Sequence, residues 1–135
     1  MGENSKITIQ LTVASLGTTE AFYRGIIELP MERVPTARGA TEYLIIRLDC
    51  WELIFVEEDA VIRNHPVLEE QLGSFPKGVG MTLHFRVQEI EDIADAIAEE
   101  DLEVLYPLEE KPYGVKEMWC FDPDGYLVVL TEPIR

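Results

Sequence analysis

Each half of the chain opens with the same alternation of apolar and polar residues. Residues 7–13 read ITIQLTV and residues 81–87 read MTLHFRV, so every second side chain is apolar. A strand that packs one face on a hydrophobic core requires this alternation. The repeat predicts two copies of one supersecondary unit, related by a pseudo-twofold axis. The corresponding pairs are Thr8 and Thr82, Gln10 and His84, Thr12 and Arg86, and Val13 and Val87.

A helix and three further strands are predicted after the first of these strands. Residues 17–20 supply capping chemistry, and four apolar side chains follow at helical spacing until Pro30 prevents the helix from continuing. Strands are predicted around residues 31–35, 42–48 and 51–57, with Asp49 and Cys50 as a tight turn between the last two. The first half therefore has the order βαβββ. The four helical positions are Phe22, Tyr23, Ile26 and Ile27.

The second half repeats this order. An apolar stripe follows the strand at residues 81–87 and predicts a helix, and strands are predicted around residues 103–106, 115–121 and 126–132. The last two strands are joined by residues 122–125, which read DPDG and have Pro and Gly at positions typical of a turn. The stripe consists of Ile90, Ile93, Ala94 and Ile97.

The two halves are predicted to form one domain over residues 1–135. The first module covers about residues 5–57 and the second about residues 79–133. The segment between them, about residues 58–78, is too long for a bare loop in a compact domain. A short helix is predicted within it at residues 66–73, with Pro66 near its start and Gly73 at its end.

The formal charge of −15 limits the partners that the chain can bind. A surface of this sign repels nucleic acid and anionic membranes, so neither is expected as a partner, whereas a cationic ligand is favoured. The acidic runs at residues 57–59, 99–101 and 109–110 also have a simpler interpretation, as solvated charges that keep the protein soluble.

Cysteine content and the amino-terminal residues indicate a cytoplasmic protein. Cys50 and Cys120 have no metal-type spacing, and a chain of 135 residues hardly needs a single disulfide for stability. Residues 1–6 are polar and precede an alternating strand, so neither a signal peptide nor a membrane span is expected.

Four short segments resemble glyoxalase/bleomycin-resistance/dioxygenase proteins, the vicinal oxygen chelate superfamily. They are Val13–Leu16, Phe22 with Tyr23, Leu29 with Pro30, and Phe121–Tyr126. The resemblance implies an α+β fold in which two βαβββ modules form a curled mixed sheet around a concave pocket for a small molecule. It also implies a homodimer, with the modules paired within a chain or across the dimer.

The resemblance further implies where a metal ion would be bound. The metal-dependent members place His or Gln on the first strand, His on the fifth and Glu on the last, and glyoxalase I adds Glu on the fourth. The matching residues here are Thr8, Thr82, Val129 and Glu52, of which only Glu52 fits. Zinc, nickel and iron ions need about three or four N, O⁻ or S⁻ donors, so no metal cofactor is predicted.

A shifted metal site is the alternative to this interpretation. Gln10 and His84 lie two residues beyond Thr8 and Thr82, and hence on the same faces of their strands, so they could join Glu52 in binding a divalent metal. Glu132 is expected to project from the opposite face, which leaves this site without a fourth ligand. A simpler interpretation of His84 is a histidine that lines the pocket and is hydrogen-bonded to Gln10 or another neighbour.

Three classes of function follow. The first is a binding protein that sequesters a cationic or aromatic ligand, and the second is a metal-independent lyase or isomerase with Glu52 and His84 as catalytic acid and base and Arg86 polarising an oxyanion. The third is a glyoxalase- or dioxygenase-like enzyme with the shifted metal site. Glu52 has a structural alternative as a strand-edge carboxylate paired with Arg47 or Arg86. The predicted ligand-binding residues are Thr8, Gln10, Glu52, Thr82, His84, Arg86, Trp119 and Val129.

Overall fold

The computed structural model describes residues 7–37, 41–74 and 76–134. The chain divides into two compact units, the first ending at residue 75 and the second beginning at residue 76. Each unit contains one four-stranded mixed sheet with helices. The predicted α+β class and the βαβββ order of each half are confirmed.

The sheet of the first unit has the strand order β1-β4-β3-β2. Strand β1, at one end of this order, pairs with β4 in parallel, and the other neighbours are antiparallel. All four strands begin within two residues of the predicted positions, because alternation and turn residues mark them clearly. The strands are β1 (Ile7–Val13), β2 (Glu32–Val34), β3 (Tyr43–Arg47) and β4 (Trp51–Glu57).

The helices of the first unit include one segment that the sequence pattern does not predict. Helix α1 (Leu16–Glu20) continues as a π-helix (Ala21–Ile26), and a 3₁₀ turn (Pro66–Leu68) leads into α3 (Glu69–Ser74). The unexpected helix is α2 (Glu58–Asn64), which starts directly after β4. Its two acidic residues in the first turn favour a helix amino terminus, and its buried face contains only Ala60 and Val61, which is too short a stripe to recognise from periodicity.

The second unit has the equivalent sheet order, β5-β8-β7-β6, and one longer helix. Its elements are β5 (Thr82–Arg86), α4 (Ile90–Glu99), β6 (Val104–Lys111), β7 (Val115–Phe121) and β8 (Leu127–Pro133). Strand β6 extends five residues beyond the predicted end at residue 106. It is an edge strand with irregular register, which explains how it accommodates Pro107 and charged residues without a regular alternation.

One face of each sheet packs on helices. In the first unit α1 contacts β3 and β4, and the ring of Tyr23 lies 4.9 Å from that of Phe55. In the second unit α4 contacts β8 and buries Ile90, Ile93 and Ile97, three of the four residues of the predicted stripe. The opposite face of each sheet presents the polar residues of β1 and β5, as the alternation predicts.

A carboxylate at the end of the last strand of each unit receives hydrogen bonds from the start of that unit's first helix. Glu57 accepts a hydrogen bond from the backbone N–H of Leu16 at 2.9 Å, and Glu132 accepts two, from Glu89 at 3.0 Å and Ile90 at 3.1 Å. These carboxylates satisfy N–H groups that have no partner within the helix. Glu132 therefore projects from the helix-bearing face of its sheet.

The two cysteines lie in contrasting environments. Cys50 is exposed at the β3–β4 turn, whereas Cys120 is buried in β7, where burial and the charge of Asp122 raise the pKa of its thiol to about 12. An ordinary thiol has a pKa near 8.5, so Cys120 holds on the order of a thousandfold less thiolate. We expect Ellman's reagent at pH 8 to modify Cys50 in the native protein and Cys120 only on unfolding. A Cys50→Ser variant that still reacts rapidly would contradict this expectation.

None of the helices among the described residues is long and apolar enough to cross a membrane.

Candidate functional site

The polar face of the first unit carries Thr8 and Glu52 side by side. They are direct partners in the parallel β1–β4 register, and the Thr8 hydroxyl donates a hydrogen bond to Glu52 Oε1 at 3.1 Å. Arg47 is the register partner of Glu52 on β3, but it forms an ion pair with Glu32, at 2.8 Å. Glu32 raises the pKa of Arg47 mainly through that hydrogen bond, and the charge of Glu52 raises it less.

Gln10 lies two residues beyond Thr8 on the same face of β1, and its register partner on β4 is Ile54. Here the face borders a hollow of about 320 Å³. The hollow is lined by Gln10, Thr41, Tyr43, Ile54, Val56, Val61, Asn64 and His65. His65, which directly precedes the helix predicted at residues 66–73, is one of the lining residues.

In the second unit, His84, Val129 and Trp119 lie in one row across three strands. The ring centroids of His84 and Trp119 are 6.4 Å apart in an edge-to-face arrangement, and Val129 between them is fully buried. His84 Nε2 lies 3.0 Å from the hydroxyl of Thr82. Thr82 is thus in contact with His84, while its own register partner on β8 is Leu127. The row places Val129 beside His84 instead of beside Thr82.

Trp119 also belongs to a group of aromatic residues around one carboxylate. The indole N–H of Trp119 donates to Glu117 Oε2 at 3.0 Å, and the hydroxyl of Tyr113 lies 3.1 and 3.0 Å from the two oxygens of Glu117. The ring of Tyr106, on the edge strand, meets Trp119 edge-on at 5.6 Å. With His84 at its other side, this group of five residues is named the Trp119 cluster.

Charge and exposure define what the Trp119 cluster presents to solvent. Tyr106 is 55% and Tyr113 66% exposed, so their ring surfaces are accessible. Desolvation, followed by the hydrogen bond to Glu117 and its charge, raises the pKa of Tyr113, so the phenol stays protonated and continues to donate. Arg86 and Glu117 lie in the next row of the same face, separated by Thr131.

The ligand-binding residues predicted from the sequence do not include three members of this cluster, Tyr106, Tyr113 and Glu117. Glu117 could have been found from its position, since it stands two residues before Trp119 on the same strand and therefore on the same face. Tyr106 carries no such signal, because the register between β6 and β7 shifts on both sides of it.

The residues at the superfamily's metal positions offer few donor atoms. Thr8 and Thr82 have hydroxyls, Glu52 has a carboxylate, and Val129 has no side-chain donor. Within the described parts of the chain, no three His, Cys, Asp or Glu side chains lie close enough together to hold a metal ion. The set of donors at these positions does not fit an ion that needs three or four N, O⁻ or S⁻ ligands.

The family model of the glyoxalase/bleomycin resistance protein/dioxygenase superfamily matches residues 7–130 of the chain. The chain belongs to this superfamily. No curated protein matches it. The superfamily assignment confirms the resemblance carried by Val13–Leu16 and Phe121–Tyr126.

Solved structures share the fold over nearly the whole chain. Protein SA1046 from S. aureus has a TM-score of 0.70 at 15% identity, covering 97% of this chain and 95% of its own. TioX from Micromonospora sp. ML1 has a TM-score of 0.60 at 12% identity, covering 96% and 99%. Lactoylglutathione lyase from Agrobacterium tumefaciens has a TM-score of 0.57 at 18% identity, covering 95% and 92%. At these identities the likeness shows the fold alone.

Proposed function

We propose that this chain is a small-molecule-binding member of the superfamily, which sequesters a cationic, aromatic ligand without the usual metal ion. The observation that carries the proposal is the Trp119 cluster. Two of its aromatic side chains donate hydrogen bonds to the carboxylate of Glu117, and a third packs against Trp119. Aromatic faces attract cations and stack on flat rings, and the carboxylate adds the opposite charge.

Long-range electrostatics supports the same ligand class. The formal charge of −15 raises the local concentration of cations and repels anions before contact is made. The carboxylate of Glu117 is already oriented by Tyr113 and Trp119, so a ligand need not order it on binding. The ligand-binding set proposed from the sequence therefore gains Tyr106, Tyr113 and Glu117 around Trp119.

No metal ion is proposed, because the side chains at the superfamily's metal positions supply too few donor atoms. The proposal also treats Glu52 and His84 as binding residues instead of an acid–base pair. Glu52 accepts a hydrogen bond from Thr8 and His84 lies within hydrogen-bonding distance of Thr82, each within its own unit. We also propose a homodimer, on the basis of the superfamily resemblance. A cytoplasmic location is proposed from the cysteine content.

Titration with a planar aromatic cation tests the proposal. N-methylquinolinium is expected to quench tryptophan fluorescence saturably, and neutral quinoline, which has the same ring system, is expected to bind more weakly. Glu117→Gln removes the carboxylate charge and should weaken cation binding about fivefold, the size of a partly solvated ion pair. Glu69→Gln is the matched control, because it changes net charge equally at an exposed position on α3.

Three outcomes would overturn the proposal. Equal weakening by Glu117→Gln and Glu69→Gln would show that only the overall charge matters. Turnover of an α-keto or hemithioacetal substrate that Glu52→Gln abolishes would establish the acid–base enzyme instead. Stoichiometric metal in protein purified without chelator, lost in a His84→Ala variant, would establish the shifted site with Gln10 and Glu52.

A further inference from the structure

The turn between β3 and β4 borders a second hollow, with a volume of about 600 Å³. This volume is within the range of small-molecule pockets, roughly 300–1,000 Å³. None of the described residues that line it belongs to the ligand-binding set of the proposed function, so the two proposals can fail separately. The lining residues are Arg47, Leu48, Asp49, Cys50 and Trp51.

An apolar row on the helix-bearing face of the sheet leads into this hollow. Trp51 shares that face with the buried Leu53 and Phe55, because alternate residues of β4 point to the same side. Its neighbours in the row are Ile7, its register partner on β1, and Leu48, whose N–H donates to the carbonyl of Trp51 at 2.9 Å. Ile7 is 55% and Leu48 38% exposed, and Trp51 is half-buried, so the row presents apolar surface on which an aromatic ring can pack. The row lies on the side of the sheet opposite the polar face.

The turn that forms the rest of the hollow is held by backbone hydrogen bonds. Asp49 and Cys50 are the two loop residues of the β3–β4 hairpin, which the bond between Leu48 and Trp51 closes. The carbonyl of Cys50 also accepts a hydrogen bond from the N–H of Ile7 at 2.9 Å. The side chains of the turn are therefore presented by a backbone that a ligand need not order on binding.

Two opposite charges line the hollow. Arg47 forms an ion pair with Glu32 through Nη1, and its side chain is 51% exposed, so its other N–H groups can donate to a ligand. Asp49 is exposed, and in the part of the chain that the structure describes no ion pair or side-chain hydrogen bond engages its carboxylate. A carboxylate of a ligand is favoured beside Arg47, and an ammonium group is favoured beside Asp49.

A zwitterion fits this pair of charges better than an ion of either sign. The formal charge of −15 repels an anion at long range and attracts a cation to the whole surface. A molecule with no net charge is neither repelled nor attracted, so local contacts decide where it binds. Arg47 and Asp49 supply such contacts for both of its charged groups.

We infer that the hollow at the β3–β4 turn binds a zwitterionic amino acid with an aromatic side chain. Its ring packs on Leu48 and Trp51. Its carboxylate accepts hydrogen bonds from Arg47, and its ammonium group donates to Asp49.

Cys50 provides the readout for this site, because it lines the hollow and is exposed, whereas Cys120 is buried. L-phenylalanine is expected to slow the reaction of Cys50 with Ellman's reagent saturably, since the bound molecule covers the thiol. The titration is done in about 0.15 M salt, which screens the field of the protein beyond about 8 Å. 3-Phenylpropanoate lacks the ammonium group and 2-phenylethylamine lacks the carboxylate, so each should bind about threefold more weakly than L-phenylalanine, the size of one solvated ion pair.

Asp49→Asn should weaken protection by L-phenylalanine about threefold and leave protection by 3-phenylpropanoate unchanged, because only the ammonium group loses its partner. Asp95→Asn, at an exposed position on α4, makes the same change in net charge and should bind L-phenylalanine like the wild type. Each variant is compared with its own reaction rate without ligand, since residue 49 is adjacent to the thiol.

Arg47→Gln provides a second test if Asp49→Asn fails to fold, and it should weaken L-phenylalanine but not 2-phenylethylamine. The inference is overturned if L-phenylalanine leaves the rate of Cys50 unchanged up to its solubility limit, or protects no better than the two probes with a single charge. Equal binding to the wild type, Asp49→Asn and Arg47→Gln would overturn it as well. None of these results affects the proposed function, which is read from N-methylquinolinium and Glu117→Gln in the second unit.

Discussion

Gly78→Ala is expected to destabilise the protein by about 3 kcal/mol, because the new methyl group meets a buried ring. A Cβ at residue 78 would lie 2.3 Å from Cδ1 and 2.9 Å from Cε1 of Tyr126, closer than any real side-chain contact. Tyr126 is only 6% exposed, so its ring cannot move aside freely. Gly78 also has a φ of +74°, which L side chains rarely adopt.

Gly80→Ala is the matched control for this prediction. Gly80 has a similar φ of +86°, but a Cβ there would have no neighbour within 4 Å. The Gly80→Ala variant should therefore lower the free energy of unfolding only through backbone strain, by about 1 kcal/mol. Urea unfolding of the two variants measures the difference. Equal losses of stability would show that Tyr126 yields and that the contact with Gly78 does not constrain the start of β5.

Glu132→Ala should lower the free energy of unfolding by about 2 kcal/mol. The variant leaves the N–H groups of Glu89 and Ile90 without the carboxylate that now accepts from both. Each such charge-assisted hydrogen bond contributes about 1.5 kcal/mol, and water replaces part of it because Glu132 is half-buried. Faster amide hydrogen exchange at Ile90 should accompany the loss, since α4 would fray from this end.

Glu132→Gln separates the charge from the shape of the side chain. An amide can accept only through its oxygen. This variant should therefore lower the free energy of unfolding by about half as much as Glu132→Ala does. Glu103→Gln, which removes an exposed carboxylate from the same unit, is the control for the change in net charge. A Glu132→Gln variant as stable as Glu103→Gln would contradict the proposed cap.

These predictions concern contacts that link distant parts of each unit, and such contacts are what a sequence pattern does not reveal. The strand period predicts that Glu132 lies on the face opposite Val129, which is where it lies, but it gives no sign that Glu132 caps the start of α4. Glu57 belongs to a run that resembles solvated charges, although it accepts the N–H of Leu16. A cap supplied from another strand leaves no local sequence pattern, because capping motifs are recognised within a few residues of the helix.

In the candidate site, too, the sequence pattern predicts the strand faces but not the contacts between strands. Alternation along β1 and β5 is sufficient to assign Thr8, Gln10, Thr82 and His84 to the polar faces of their strands. Strand register decides which residues are neighbours on adjacent strands. Val129 therefore lies beside His84, and Leu127 lies beside Thr82. The Trp119 cluster depends further on the β6 edge strand, whose irregular pairing has no counterpart in the alternation.

Short segments of the sequence are thus enough to establish the two βαβββ units, the superfamily and the donor atoms at its metal positions, because periodicity and turn chemistry are local properties. The meeting of Tyr113 and Trp119 at Glu117, with Tyr106 against Trp119, requires the irregular pairing of β6 with β7. In the same way, α2 closes a hollow against β4 only in the folded first unit. Both arrangements depend on strand register and packing, which periodicity does not fix, because many pairings satisfy the same local pattern and burial selects one.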